Sequence, residues 1–104
     1  MKIYILRKSI TDLKVVDRRE NETSAATVGE LIRETVEKNY AARPIRDSLD
    51  ECVQTAFDEF CDGGFYIVNV TKNIKYRDVD EVLNISEGDE LVFIKLKYLR
   101  GLIW

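Results

Sequence analysis

Apolar positions along this chain follow two different periods. Lys2–Arg7 is a short run of β-branched and aromatic residues, which predicts a strand. Ser9–Asp12 supplies a turn, and Leu13–Val16 begins the second strand of a hairpin. From Asp17 to Ser24 the sequence is polar and aperiodic, which predicts an exposed loop. A helical period follows. Thr27-x-x-Glu30 is a capping box, and Val28, Leu31, Ile32, Val36 and Tyr40 then recur on one stripe. A second stripe, Ile45, Leu49, Cys52, Val53, Ala56, Phe57 and Phe60, predicts another helix over about Ile45–Phe60. Pro44 precedes it, Ser48-x-x-Glu51 offers a further cap, and Gly63-Gly64 stops it. Asp47, Asp50, Glu51, Asp58 and Glu59 fall on its flanks or opposite side, so the apolar side must be buried against something.

Strand periods return in the last third. The order is a strand over Phe65–Thr71, a turn with a short strand over Lys72–Tyr76, and a loop ending in Asn84-Ile85. A tight Glu87-Gly88-Asp89 turn then leads into a long final strand, Glu90–Tyr98, and a tail over residues 99–104. A half-buried strand alternates apolar and polar residues, because successive side chains point to opposite faces. Three strands here do not. Ile3-Tyr4-Ile5-Leu6, Tyr66-Ile67-Val68 and Leu91-Val92-Phe93-Ile94 are apolar on both sides.

Composition narrows the classes. A length of 104 residues predicts one domain, residues 1–104, able to build a core without disulfides or metal. With 45% hydrophobic and 34% charged residues the chain has the balance of a soluble globular protein. No apolar run approaches a membrane span and the N-terminus lacks a signal-peptide layout, so the expectation is a cytoplasmic protein without membrane insertion. A net charge of −3 argues against a nucleic-acid partner. The chain has no histidine, which excludes Ser-His-Asp triads, Cys-His pairs and His-ligated zinc. Cys52 and Cys61 are nine residues apart. On one helix that is about 13.5 Å along the axis, too far for a disulfide, so free thiols are expected, buried or half-buried. The expectation is no cofactor, no metal ligand, no catalytic residue and no enzymatic activity.

Several motifs carry a family likeness. Lys72-x-Ile74 through Asn84-Ile85 to Leu91-x-Phe93 resembles the second half of ubiquitin, and Met1-Lys2-Ile3-Tyr4-Ile5 resembles its first strand. A closer likeness is to the small YukD/EsaB-type ubiquitin-like proteins of type VII secretion loci. It rests on Tyr66–Val70, Thr71-Lys72-Asn73 and Ile85-x-x-Gly88-Asp89-x-Leu91, and covers about two thirds of the chain. The element order β-β-α-…-β-β-β agrees with the β-grasp fold. The resemblance therefore implies an α+β protein with a mixed sheet of four to five strands, one packing helix and an inserted second helix. The motif residues are structural: Ile85 is expected to plug the core, Gly88 to take positive φ, and Asp89 to accept a backbone hydrogen bond.

The resemblance also assigns faces. Ile3, Ile5, Leu91, Phe93 and Ile67 would face the core, turning Tyr4, Leu6, Val92, Ile94, Leu96, Tyr66, Val68 and Val70 to the other side. The first and last strands would be parallel neighbours with the third beside the last, so these residues would form one apolar patch. Leaving such a patch wet forfeits on the order of 10 kcal/mol. The second helix or the tail would cover it, or a protein partner or second copy would. The candidate partner-binding residues are Tyr4, Leu6, Val68, Val92, Ile94, Leu96, Leu102 and Trp104; tryptophan is a common anchor of interfaces. The function implied is a non-enzymatic interaction module, an accessory or regulatory component of a type VII secretion system. The alternative is a modifier or sulfur carrier of ThiS/MoaD type. That chemistry needs a terminal Gly-Gly, whereas this chain reads Leu99-Arg100-Gly101-Leu102-Ile103-Trp104 and would require processing after Gly101.

Overall fold

A computed structural model of the chain describes every residue except Ile10, Thr11, Tyr98, Gly101 and Trp104, with only the backbone of residues 12–16. The architecture is α+β. Seven elements run in the order β1 (Lys2–Ser9), β2 (Asp12–Glu22), α1 (Val28–Ala42), α2 (Leu49–Cys61), β3 (Phe65–Asn69), β4 (Ile74–Tyr76) and β5 (Glu90–Lys95). The strands make one five-stranded mixed sheet, ordered β2-β1-β5-β3-β4. β1 and β5 pair in parallel at its centre, and the remaining pairs are antiparallel.

Alternation along each strand sorts the sheet into two faces. Ile3, Ile5, Phe65, Ile67, Tyr76, Leu91 and Phe93 turn inward, where they join Val28, Leu31, Ile32 and Val36 of α1 in the core. α1 begins where Thr27 accepts the Glu30 amide at 3.2 Å, while the Glu30 carboxylate reaches the Ala26 amide at 2.6 Å. The next free amides of its first turn, Val28 and Gly29, donate to Glu81 O and Val79 O. The loop after β4 is thereby fastened to the helix start.

α2 packs beside α1 on this same inner side. Cys52, Val53, Ala56 and Phe60 enter the common core, and the Phe60 ring lies 5.4 Å from Phe65, which stacks on Phe93 at 6.3 Å. Its start is set by the reciprocal Ser48–Glu51 capping box, not by Pro44. Ile45, expected on the stripe, therefore lies outside the helix and is 41% exposed. Gly63, at φ +75°, ends it in the left-handed conformation that favours glycine.

Four further expectations are corrected. The polar stretch expected to be a loop from Asp17 is strand as far as Glu22, because β2 is an edge strand polar on both faces. The third strand ends at Asn69 rather than Thr71, and the last ends at Lys95, with Tyr98 outside the described residues. The core plug between β4 and β5 is Leu83, fully buried, while Ile85 is only half-buried.

Candidate interaction face

The outer face of the sheet is built in rows fixed by register. Leu6, Val92 and Val68 stand side by side on β1, β5 and β3, with Arg18 beyond Leu6 and Lys75 beyond Val68. The next row sets Lys8, Ile94 and Tyr66 in line, and on the other side Tyr4 pairs with Glu90 and Glu20. Val92, at 9% exposure, is the most buried of them; Tyr4, Leu6, Val68, Ile94 and Leu96 are half-buried. The structure thus brings five of the eight candidate residues to one side, and Leu96 lies half-buried just past the end of β5. Tyr66 belongs to the same surface and was missing from the candidate set, although its outward parity was legible in the sequence.

Two cations roof the ends of this surface. The Arg18 guanidinium lies 4.2 Å from the centre of the Tyr4 ring, and Lys75 Nζ lies 3.9 Å from that of Tyr66. Their alkyl stems cover apolar area while the charges stay wet. Arg18 also approaches Glu90 at 3.7 Å, and Lys2 approaches Glu20 at 3.3 Å. These are exposed pairs, so they set local charge more than stability.

The two remaining candidates part from the group. Leu102 packs against the inner core, its carbonyl accepting from Asn39 Nδ2 of α1; Trp104 lies outside the described residues. Tail placement has a clear cause. Leu96 N donates to Gly64 O at 3.0 Å, Arg100 N donates to Glu59 at 2.6 Å, and Ile103 is fully buried in the core. The tail residues 99, 100, 102 and 103 therefore run past the end of α2 towards α1. Neither they nor α2 cover the outer face.

Other chemistry is sparse. Cys52 and Cys61 are both free; Cys52 is buried, and that burial pushes its thiol pKa up, away from thiolate character. Cys61 is exposed, more so than expected from the sequence. Among the described residues no group of His, Cys, Asp and Glu side chains is placed to hold a metal, and no helix is long and apolar enough to cross a membrane.

No protein family, curated protein or solved structure matches the chain. The functional argument therefore rests on the outer face itself.

Proposed function

We propose that this chain is a β-grasp interaction module that engages a protein partner through the outer face of its sheet. Its element order, with parallel β1 and β5 at the centre, is compatible with a β-grasp carrying an added helix. The observation carrying the reading is the apolar surface of Leu6, Val92, Val68, Ile94 and Tyr66 on three adjacent strands, with both helices on the opposite side. A contiguous patch of this kind marks an interaction site more often than free surface.

Local charge defines the partner's chemistry. Glu20 and Glu90 are already met by Lys2 and Arg18. Lys8 and Lys75, flanking the Ile94–Tyr66 row, have no acidic partner among the described residues. The complementary segment is a run of apolar residues flanked by acidic ones. The YukD-type likeness extends the proposal to an accessory or regulatory role in type VII secretion. The modifier alternative gains nothing, since trimming after Gly101 would pull Ile103 out of the core.

A photo-crosslinking residue at Ile94, compared with one at the exposed Glu37 of α1, tests this in the host cell. Capture specific to position 94 of an acid-flanked apolar segment, from a secretion component, supports the proposal. Crosslinking to a second copy would replace it with homo-oligomerisation. Equal or no capture at the two positions would reject it.

A further inference from the structure

One exposed loop and one groove on the helical side of the molecule carry complementary chemistry. Residues 43–48 link α1 to α2 and are exposed throughout. Pro44 cannot continue the helix, and Arg43 before it stands outside helical geometry at φ −144° and ψ 78°. The Tyr40 hydroxyl donates to Asp47 O at 3.0 Å and ties the loop back to α1. Ile45 is thereby presented 41% exposed, between Arg43 and Arg46. Neither arginine has an ion pair among the described residues.

The groove lies at the other end of α1. It has a volume of about 230 Å³ and opens between the start of α1, the middle of α2 and the loop after β4. Half-buried Phe57 and Val79 make its apolar floor. Gly29 has no side chain to fill it and none fits, since a Cβ there would lie 3.0 Å from Val79 O. Val82, bridged to Thr27 at the groove's edge, is 66% exposed and extends the apolar surface. Charge at the rim is negative. Arg33 is taken up by Asp50 at 3.4 Å, whereas the Glu30 carboxylate bonds only the Ala26 amide. The Asp80 carboxylate has no partner among the described residues.

We propose that this groove is the docking site for the Arg43–Arg46 loop of a second copy of this chain. Ile45 settles over Phe57 and Val79; one water needs about 10–15 Å³ on this scale, so the groove has ample room for an isoleucine side chain. The two guanidiniums meet Glu30 and Asp80, local attraction that offsets the repulsion between copies of net charge −3. The loop cannot serve its own molecule, because Arg43 and Gly29 are about 21 Å apart along the α1 axis. Two copies with antiparallel α1 helices make the contact twice, which closes a two-fold dimer. The outer face of the sheet takes no part and stays free for its own partner.

The test is sedimentation velocity and ¹⁵N-NMR of the full chain over a concentration series from about 20 µM to about 1 mM. Wild type is expected to move from monomer towards dimer, with concentration-dependent shifts at residues 43–47 and at the amides of Gly29, Glu30, Phe57, Val79 and Asp80. Three variants probe the contact: Ile45→Ser, Asp80→Arg, and Arg43→Gln combined with Arg46→Gln. All four positions are exposed, so each variant should weaken dimerisation at least about tenfold at an unchanged melting temperature. A protein that stays monomeric throughout, shifts centred instead on Val92 and Ile94 of the outer face, or variants that dimerise like wild type would each overturn the assignment.

Discussion

Asp89 shows how one residue can fasten several parts of this protein. Its side chain is almost fully buried, and Oδ2 accepts from Asn69 Nδ2 at 3.0 Å, Lys72 Nζ at 2.9 Å and Ser86 N at 2.9 Å. Lys72 also reaches Asn84 O and Ser86 Oγ, so the β3–β4 turn is tied to the turn before β5. Burial alone would push the Asp89 carboxyl up, but the donors from Asn69, Lys72 and Ser86 outweigh it and its pKa is lowered. Asp89→Asn keeps the size, and its amide oxygen can stand at the Oδ2 position, but it loses the charge that strengthens all three bonds and pairs with Lys72. We expect a loss of about 2–3 kcal/mol near neutral pH, read as a fall in melting temperature of at least about 8 °C. Because the folded pKa lies below the unfolded value, this stabilisation is present above about pH 4 and is lost as pH falls through the folded pKa. Melting temperatures of wild type and variant should therefore converge in acid; a constant gap down to pH 2 would contradict the assignment. The sequence disclosed the turn itself, with Gly88 at φ +83° and the Ser86 amide on Asp89. It could not disclose Asn69, because a partner 20 positions away leaves no local periodic signal.

Among the elements, those with one apolar face were legible and those without one were not. The α1 stripe and the Thr27 cap placed that helix, although Glu30 turns to the Ala26 amide instead of closing a capping box, and Gly63-Gly64 placed the end of α2. The start of β2 was legible at Leu13–Val16, but its continuation over Asp17–Glu22 was not, because that half is charged or polar on both sides, as suits an exposed edge that must not recruit another strand. The tail was legible only as apolar. Its destination depends on Gly64, Glu59 and Asn39, which come together only after folding. Ile103 behaves as a core residue there, in contact with the same cluster as Ile5 and Phe93. Ile103→Ala is expected to cost about 2–4 kcal/mol, the transfer loss plus the cavity left behind, with a matching drop in denaturant midpoint. A variant as stable as wild type would mean that the tail merely rests on the surface. The same experiment bears on processing: a tail that seals the core is costly to remove.

At the scale of the whole molecule, the sheet divides two environments with one backbone. Inward residues such as Phe93 lie in the core under both helices, while outward residues such as Val92 and Ile94 form a surface ringed by Arg18, Lys8 and Lys75. α2 reinforces the division, since Asp50, Glu51, Asp58 and Glu59 lie on it without a single basic residue. The failed alternation in β1, β3 and β5 made the outer patch legible in the sequence. What lies over the inner side was not, because the apolar stripes of α2 and the tail fit either face equally well on pattern alone. Adjacent substitutions on β5 separate the two environments. Phe93 is fully buried and stacked on Phe65, so Phe93→Asp removes a ring from the middle of the core and should abolish folding, seen as lost circular dichroism. Ile94 is half-buried on the outer side, so Ile94→Asp should cost only about 1–2 kcal/mol and keep the wild-type spectrum. The folded Ile94→Asp protein should nevertheless lose the partner captured at this face. If instead both variants unfold alike, the outer surface is the second side of a larger core, and the interaction reading fails with it.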